Sequence, residues 1–208
     1  MEKKLLIWIA ERLPAWINSD HLTLLGFLAM LGVGLSYWAS AWDRRALILA
    51  IFGLILNWLG DSLDGILARV RDQQGPQYSF YVDHVIDIVG TFFLLGGFAA
   101  AGYVNPLIGL GLLIGFFMAS AQRYLATHVL GVFSLSFTGM APKELQILLA
   151  TGTLFLLYKL VVTLGDIGRF HLFDLESDCC ILGMAMTLSV WSIQNTRFLY
   201  QAAPLMRR

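Results

Sequence analysis

Residues 46–70, ALILAIFGLILNWLGDSLDGILARV, and residues 83–103, DHVIDIVGTFFLLGGFAAAGY, are two apolar runs separated by one short polar segment. Each run is about as long as the 20 or so residues that a helix needs to cross a bilayer. Each also carries two aspartates at the end that faces the polar segment. Because a charged side chain within a bilayer costs about 2.5–3.5 kcal/mol, these four aspartates require compensation and predict a functional site.

The composition of the whole chain agrees with a membrane protein. Of 208 residues, 58% are hydrophobic and 13% are charged, whereas soluble domains carry about 25% charged residues. The 14 Lys and Arg residues balance the 14 Asp and Glu residues, so no overall positive charge suggests binding to nucleic acid. Cys179 and Cys180 are adjacent, which suits neither a disulfide framework nor a chelating pair.

Apolar runs elsewhere extend the same pattern. We predict an all-α integral membrane protein in which a single domain of six transmembrane helices follows an N-terminal interfacial amphipathic helix over residues 1–18. The connections leave no room for a second domain. The predicted spans cover residues 21–40, 46–70, 83–103, 106–127, 144–164 and 178–200.

Most Lys and Arg residues fall on the side of the membrane that holds both termini. The positive-inside rule therefore predicts that the termini and the segment 71–82 face the cytoplasm, in a bacterial or archaeal cytoplasmic membrane. Arg44 and Arg45, which fall on the opposite side, count against this orientation.

The spacing of the four aspartates predicts one shared site. Asp61 and Asp64 are three residues apart, and Asp83 and Asp87 are four apart, so each pair lies on one helix face. The short connection brings both pairs to the same membrane level, where four unpaired charges would repel one another. Carboxylate oxygens without a His or Cys cluster favour Mg, Mn or Ca over zinc. Pairing with nearby arginines or exposure to solvent is the alternative explanation.

Small and basic residues follow these carboxylates. Gly65 and Ala68 lie four and seven positions after Asp61, which leaves a stripe without side-chain bulk where a ligand could approach the backbone. Arg69 lies about 12 Å along the helix from Asp61, towards the headgroup level, and suits a phosphate group. Small residues also mediate ordinary helix packing in membranes.

Written out, this segment is D-S-L-D-G-I-L-A-R over residues 61–69, followed by Ser79, Asp83 and Asp87. It closely resembles the signature of the CDP-alcohol phosphotransferase family, D-x-x-D-G-x-x-A-R followed by G-x-x-x-D-x-x-x-D. Seven of the eight fixed positions match, and Ser79 stands where the family has glycine. The six predicted spans and the leading interfacial helix are also similar to that family.

The resemblance implies an enzyme that transfers a phospho-alcohol group from a CDP-alcohol, commonly CDP-diacylglycerol, to an acceptor hydroxyl and releases CMP. It implies Mg2+ or Mn2+, as two ions, held by Asp61, Asp64 and Asp83, with Asp87 completing the metal site and acting as general base. It further implies membrane lipid and an alcohol acceptor as partners, and a homodimer.

The same resemblance implies that the CDP pocket is lined by Asp64, Gly65, Ala68, Arg69 and Ser79. For the acceptor the sequence offers only candidates near span ends: Arg123, Lys143 and Glu144. Each can bind an acceptor phosphate, and each can equally anchor its helix at the cytoplasmic surface.

Two other functions fit parts of the pattern. The aspartate pairs faintly resemble the motifs of intramembrane prenyltransferases, which also bind a diphosphate through magnesium, but those motifs lie on distant spans. An ion transporter with buried carboxylates is the other alternative, and it would favour broken helices and internal repeats, which the sequence does not show.

Overall fold

A computed structural model describes residues 2–71, 76–130, 142–158, 161–164 and 168–202 of the chain. The described residues form seven helices and one short antiparallel hairpin. In chain order the elements are α1 (Glu2–Arg12), α2 (Ser19–Ala39), α3 (Ala46–Val70), α4 (Pro76–Ala100), α5 (Pro106–Leu130), α6 (Pro142–Tyr158), β1 (Val161–Leu164), β2 (Gly168–His171) and α7 (Leu172–Ala202).

Four of these helices are long and apolar enough to cross a membrane: Ser19–Ala39, Ala46–Val70, Tyr81–Ala100 and Pro106–Val129. They correspond to the first four predicted spans, and the second agrees with the predicted range 46–70 at both ends. The protein is therefore a helical integral membrane protein, as predicted. Within the described residues α6 has 17 residues and α7 is less apolar than these four helices, so neither meets the same length and apolarity.

Several helices have other bounds than the predicted spans, and the end of one predicted span is wrong. The predicted span 144–164 ends earlier, because α6 stops at Tyr158 and Val161–Leu164 form β1, which pairs with β2. The predicted span 178–200 belongs to a longer helix that already begins at Leu172. The predicted span 83–103 starts in a helix that begins at Pro76 and ends at Ala100. The predicted interfacial helix 1–18 is helical only over Glu2–Arg12.

Helix α2 packs along both α3 and α4, and glycines allow this close approach. A Cβ added at Gly60 would lie 2.8 Å from the carbonyl oxygen of Leu22 and 2.9 Å from the nitrogen of Gly26, and one added at Gly97 would lie 2.7 Å from the Cα of Gly34. Only glycine leaves room for backbones this close. Helix α2 is consequently held against α3 on one side and against α4 on the other.

Helix α1 packs on α3 through a small apolar cluster that includes Leu6, Ala10 and Leu67. Just beyond α3, the guanidinium of Arg71 donates hydrogen bonds to four backbone carbonyls of the segment between α1 and α2. Since charge-assisted hydrogen bonds are stronger than neutral ones, Arg71 stabilises the position of the start of α2 relative to the end of α3. The interfacial position of α1 stays a prediction.

The opposite ends of these helices are tied to α6. The Tyr37 hydroxyl is 2.7 Å from that of Thr153, and both residues are fully buried. Arg44, between α2 and α3, donates to the carbonyl of Leu156 in the last turn of α6. This carbonyl lacks a partner within its own helix, so Arg44 satisfies a group that would otherwise need water.

Candidate functional site

The four predicted aspartates surround one cavity between α2, α3 and α4. The cavity is open at its mouth, and the space within it and at its opening to solvent amounts to about 260 Å3. It is lined by Thr23, Gly26, Phe27, Asn57, Asp61, Asp64, Asp83, Ile86 and Asp87. The convergence of the two aspartate pairs, expected from their spacing, is therefore present in the structure.

The positions of the aspartates follow from helix geometry. Asp61 and Asp64 lie in the last turns of α3, and Asp83 and Asp87 lie in the early turns of α4. Helix α3 ends where the chain turns back into α4, so these turns face each other. With a rise of about 1.5 Å per residue, Asp61 lies about 4.5 Å deeper than Asp64, and Asp87 about 6 Å deeper than Asp83.

Helix α2 supplies the third wall of the cavity, which the sequence did not indicate. Thr23, Gly26 and Phe27 face the aspartates from this helix. The side-chain amide of Asn57 donates a 3.0 Å hydrogen bond to the carbonyl of Gly26 and is buried. This bond fixes α2 against α3 one turn below Asp61.

Asp64 is the most enclosed of the four carboxylates and is held by α2. It is 8% exposed. Its Oδ2 accepts a 3.1 Å hydrogen bond from the hydroxyl of Thr23, and its Oδ1 accepts one from the backbone N–H of Gly65. The hydroxyl of Ser19 donates to the backbone carbonyl of Asp64 at 3.1 Å. Asp61, in contrast, is exposed.

The charges around the cavity act on one another. Asp61, Asp83 and Asp87 lie within electrostatic range of each other, and Asp20 of α2 adds a further negative charge near Asp83. The cation that acts on Asp87 is Arg123 of α5. The site is thus rich in negative charge, and a bound cation would offset this repulsion.

The donor set suits a hard divalent cation in kind, because it offers carboxylate oxygens without His or Cys. Among the described residues, however, no three His, Cys, Asp or Glu side chains are already gathered closely enough to hold a metal ion.

The residues predicted for CDP occupy different surroundings. A Cβ added at Gly65 would meet nothing within 4 Å, so the backbone there is open to a ligand. Arg69 is exposed in the last turn of α3, whereas Ala68 is 7% exposed and does not line the cavity. Ser79 lies in α4, and its side chain is outside the described part of the structure.

Of the acceptor candidates, Arg123 is brought to the site. It lies on α5, within electrostatic range of Asp87, but does not line the cavity. The neighbouring Tyr124 ring packs edge-on against His84 of α4, with ring centroids 4.9 Å apart. Lys143 and Glu144 lie in the first turn of α6, but their side chains are outside the described part of the structure.

Comparison with protein-family models gives one decisive result. The model for CDP-alcohol phosphatidyltransferase matches residues 16–194, a range that includes α2–α5 and every residue that lines the cavity. The chain belongs to this family. As a CDP-alcohol phosphatidyltransferase it is an enzyme that transfers substituted phosphate groups in membrane phospholipid synthesis, which argues against both the prenyltransferase and the transporter interpretation. Searches of curated proteins and of solved structures gave no match.

In this CDP-alcohol phosphatidyltransferase, two residues of the first span that bond to Asp64, Ser19 and Thr23, are not among the site residues predicted from the sequence. Ser19 and Thr23 are four residues apart and so place two hydroxyls on one face of α2. That spacing is the signal that could have indicated them. This spacing is a weak signal, because hydroxyl side chains in an apolar helix commonly bond to their own backbone.

Proposed function

We propose that this protein transfers a phosphatidyl group from CDP-diacylglycerol to the hydroxyl of an alcohol acceptor, with release of CMP and dependence on Mg2+ or Mn2+. The observation that carries the proposal is the convergence of Asp61, Asp64, Asp83 and Asp87 around one cavity. The cavity lies near one end of helices long enough to span a membrane. A site at that level lets a lipid donor keep its acyl chains in the bilayer.

Asp61, Asp64 and Asp83 would hold two divalent ions, with Asp87 completing the site. Such ions, when bound, neutralise the diphosphate and the departing CMP. The protein's own part is to keep these carboxylates close together and to shield them on three sides with α2, α3 and α4. The interhelical bonds to Gly26 and Asp64 support such a fixed arrangement.

Asp87 is proposed to act as general base. The acceptor hydroxyl gives its proton to the Asp87 carboxylate, its oxygen bonds to the β-phosphorus, and the bond from that phosphorus to the bridging oxygen of CMP breaks. Asp87 lies deeper than Asp83 and within electrostatic range of Arg123. Arg123 would bind an acceptor phosphate. Lys143 and Glu144 are kept as further acceptor candidates.

The cytidine diphosphate is proposed to lie over the open backbone at Gly65, with Arg69 at its charged end and Asp64, Ala68 and Ser79 around it. The empty space beside Gly65 and the exposure of Arg69 support this placement. Ser79 adds a hydroxymethyl group where the signature has glycine, so we expect a narrower pocket than is usual.

The wider setting belongs to the same proposal. Helices α6 and α7 would complete six spans, since 17 residues lie at the lower end of the length that can cross a bilayer. The site and both termini would face the cytoplasm of a bacterial or archaeal cell, and two copies would form a homodimer. Cysteine accessibility in intact cells tests the orientation of the site and the termini, and crosslinking in membranes tests the homodimer.

The direct test is CMP release by the purified protein in lipid vesicles that contain CDP-diacylglycerol, with a panel of alcohol acceptors and with Mg2+ or Mn2+. We expect CMP to appear only when donor, acceptor and metal are all present. If no CDP-alcohol yields CMP with any acceptor tested, the proposal is wrong.

The role of Asp87 is tested by Asp87→Asn. Loss of a general base lowers turnover by about 100- to 10,000-fold. Binding of Mn2+ and of a CDP-alcohol stays largely intact, because Asp61, Asp64 and Asp83 remain to hold the metal. Asp178→Asn, an exposed position on α7, is the matched control and keeps full activity. Unchanged turnover in Asp87→Asn would remove this residue from the base role.

A further inference from the structure

Thr23, a residue of the first span, donates a hydrogen bond to the side chain of a predicted metal ligand, Asp64. Its hydroxyl lies 3.1 Å from Oδ2 of Asp64 and lines the cavity. It lies outside the signature segment 61–87 that carries the family resemblance. One turn earlier, Ser19 bonds to the backbone carbonyl of Asp64, so two side chains of α2 converge on this one residue.

The hydroxyl of Thr23 has one proton and two acceptors within reach. Oδ2 of Asp64 lies at 3.1 Å and the backbone carbonyl of Ser19, in its own helix, at 3.2 Å. A bond to an ionised carboxylate is about twice as strong as one to a neutral carbonyl. The Thr23 hydroxyl therefore donates its hydrogen bond to the carboxylate of Asp64, rather than to the carbonyl of Ser19, whenever Asp64 is ionised.

That bond fixes the orientation of the carboxylate. Oδ1 is already held by the N–H of Gly65, so the bond from Thr23 to Oδ2 sets both oxygens. Each carboxylate oxygen has two lone pairs, so each keeps one for a cation. Loss of Thr23 would remove this hydrogen bond from α2, and the bond from Gly65 would be left to hold the carboxylate against the negative charges of Asp61 and Asp83.

We propose that Thr23 is a positioning residue, which holds the Asp64 carboxylate in the orientation that binds the divalent ion. The inference rests on the proposed metal role of Asp64. Groups that orient a metal ligand typically contribute 10- to 100-fold to metal affinity. The first span is then part of the metal site, although it carries no metal ligand.

The competing explanation is that Thr23 serves only its own helix. Threonine in a helix often bonds to the carbonyl four residues earlier, as Thr127 does with Arg123. In that case removal of the hydroxyl leaves metal binding unchanged. The two explanations therefore differ in a quantity that can be measured without substrate.

The experiment measures Mn2+ binding to the purified protein in detergent, without nucleotide, by the electron paramagnetic resonance signal of free Mn2+. The variants are Thr23→Val, which removes the hydroxyl and keeps the shape, and Thr23→Ser, which restores it. Ser36→Ala is the control, because Ser36 lies on the same helix and its hydroxyl donates to the carbonyl of Gly32 within that helix. Asp64→Asn serves as the benchmark for a lost ligand. The Mn2+ dependence of CMP release is recorded alongside.

We expect the Kd for Mn2+ to rise at least tenfold in Thr23→Val, to stay within about threefold of wild type in Thr23→Ser, and to be unchanged in Ser36→Ala. The Mn2+ concentration for half-maximal CMP release rises in parallel, with kcat at saturating Mn2+ less affected. Thr23→Ala replaces Thr23→Val if the latter is not monodisperse.

Wild-type Mn2+ affinity in Thr23→Val, with affinity lost in Asp64→Asn, would overturn the positioning role and leave the proposed function intact. Wild-type affinity in Asp64→Asn as well would overturn the metal role of Asp64 and the positioning role with it. Failure of the proposed function itself shows separately, as the absence of CMP release from wild-type protein.

Discussion

Helix α3 has two glycines, Gly60 and Gly65, that lie five residues apart in different surroundings. Substitution of each one tests separately the packing of this helix and its proposed contact with CDP. At Gly60 an added Cβ would lie within 3.0 Å of three backbone atoms of α2, whereas at Gly65 it would meet nothing within 4 Å. Both positions gain about 1 kcal/mol of helix propensity when glycine becomes alanine. The difference between the two variants is therefore the cost of overpacking at Gly60, about 1–3 kcal/mol.

We accordingly expect Gly65→Ala to unfold at a temperature equal to or above that of wild type, and Gly60→Ala to unfold at a lower temperature than Gly65→Ala. For enzyme activity we expect the opposite effect at Gly65, because the variant that folds at least as stably as wild type should bind the donor less well. If CDP lies over this backbone, the new methyl group clashes with it, and a cost of about 1–3 kcal/mol raises KM for the CDP-alcohol by about 5- to 150-fold. Alanine keeps the backbone N–H that bonds to Asp64, so the metal site is not the cause.

The assay pairs thermal unfolding in detergent, followed by tryptophan fluorescence, with steady-state CMP release at varied donor concentration. A wild-type KM in Gly65→Ala would refute the placement of CDP at this surface. Destabilisation of Gly65→Ala as large as that of Gly60→Ala would refute the packing argument instead, since it requires an obstacle at a position where the structure shows open space.

Three further predictions address other parts of the molecule. Replacing Arg71 with Met removes its bonds to the segment between α1 and α2, and we expect a lower unfolding temperature and faster proteolysis there, whereas Arg197→Met on α7 has no effect. Arg123→Met should raise KM for a phosphate-bearing acceptor by about 10- to 100-fold; a fall in kcat alone would contradict a binding role. Chelation by EDTA should abolish CMP release, Mg2+ or Mn2+ should restore it, and restoration by Zn2+ alone would contradict an all-carboxylate site.

The spans around the site could be predicted because apolar length fixes them. Residues 46–70 were predicted and found as one helix. The end of the predicted fifth span failed because apolarity does not distinguish a helix from a strand. Val161, Val162 and Thr163 are β-branched and form β1, and β-branching favours strands. The same residues counted as membrane-spanning only because they are apolar.

Helix starts were harder to predict than spans. Helix α7 begins at Leu172, six residues before the predicted span 178–200, and its first turns include the acidic residues Asp174, Glu176 and Asp178. Polar side chains mark where a chain leaves the apolar part of a membrane, yet a helix can continue into water. Pro76 at the first position of α4 was an available signal for its early start.

The aspartates of the site could be predicted and its third wall could not. Helical spacing and one short connection determine how Asp61, Asp64, Asp83 and Asp87 meet. The contact of Thr23 with Asp64 joins residues 41 positions apart, and it depends on the close approach of α2 at Gly60. A single sequence contains the glycine but does not show which helix will lie against it.

Arg44 illustrates the limit of counting charges. It weighed against the predicted orientation as a positive charge on the external side. In the structure its guanidinium bonds to the carbonyl of Leu156 at the end of α6. An arginine bound to a helix end has a structural reason to be where it is, so its position gives weaker information about membrane orientation than that of an unbound one.

The place of α2 between the two aspartate helices also bears on how the protein is made. Synthesis proceeds from the N-terminus, so α2 leaves the ribosome before α3, and α3 before α4. Each helix that carries aspartates therefore emerges when the helix it packs on is already available. The three helices α2, α3 and α4 can therefore pack together while the C-terminal half of the chain is still being translated. The carboxylates are then covered by protein soon after they enter the membrane.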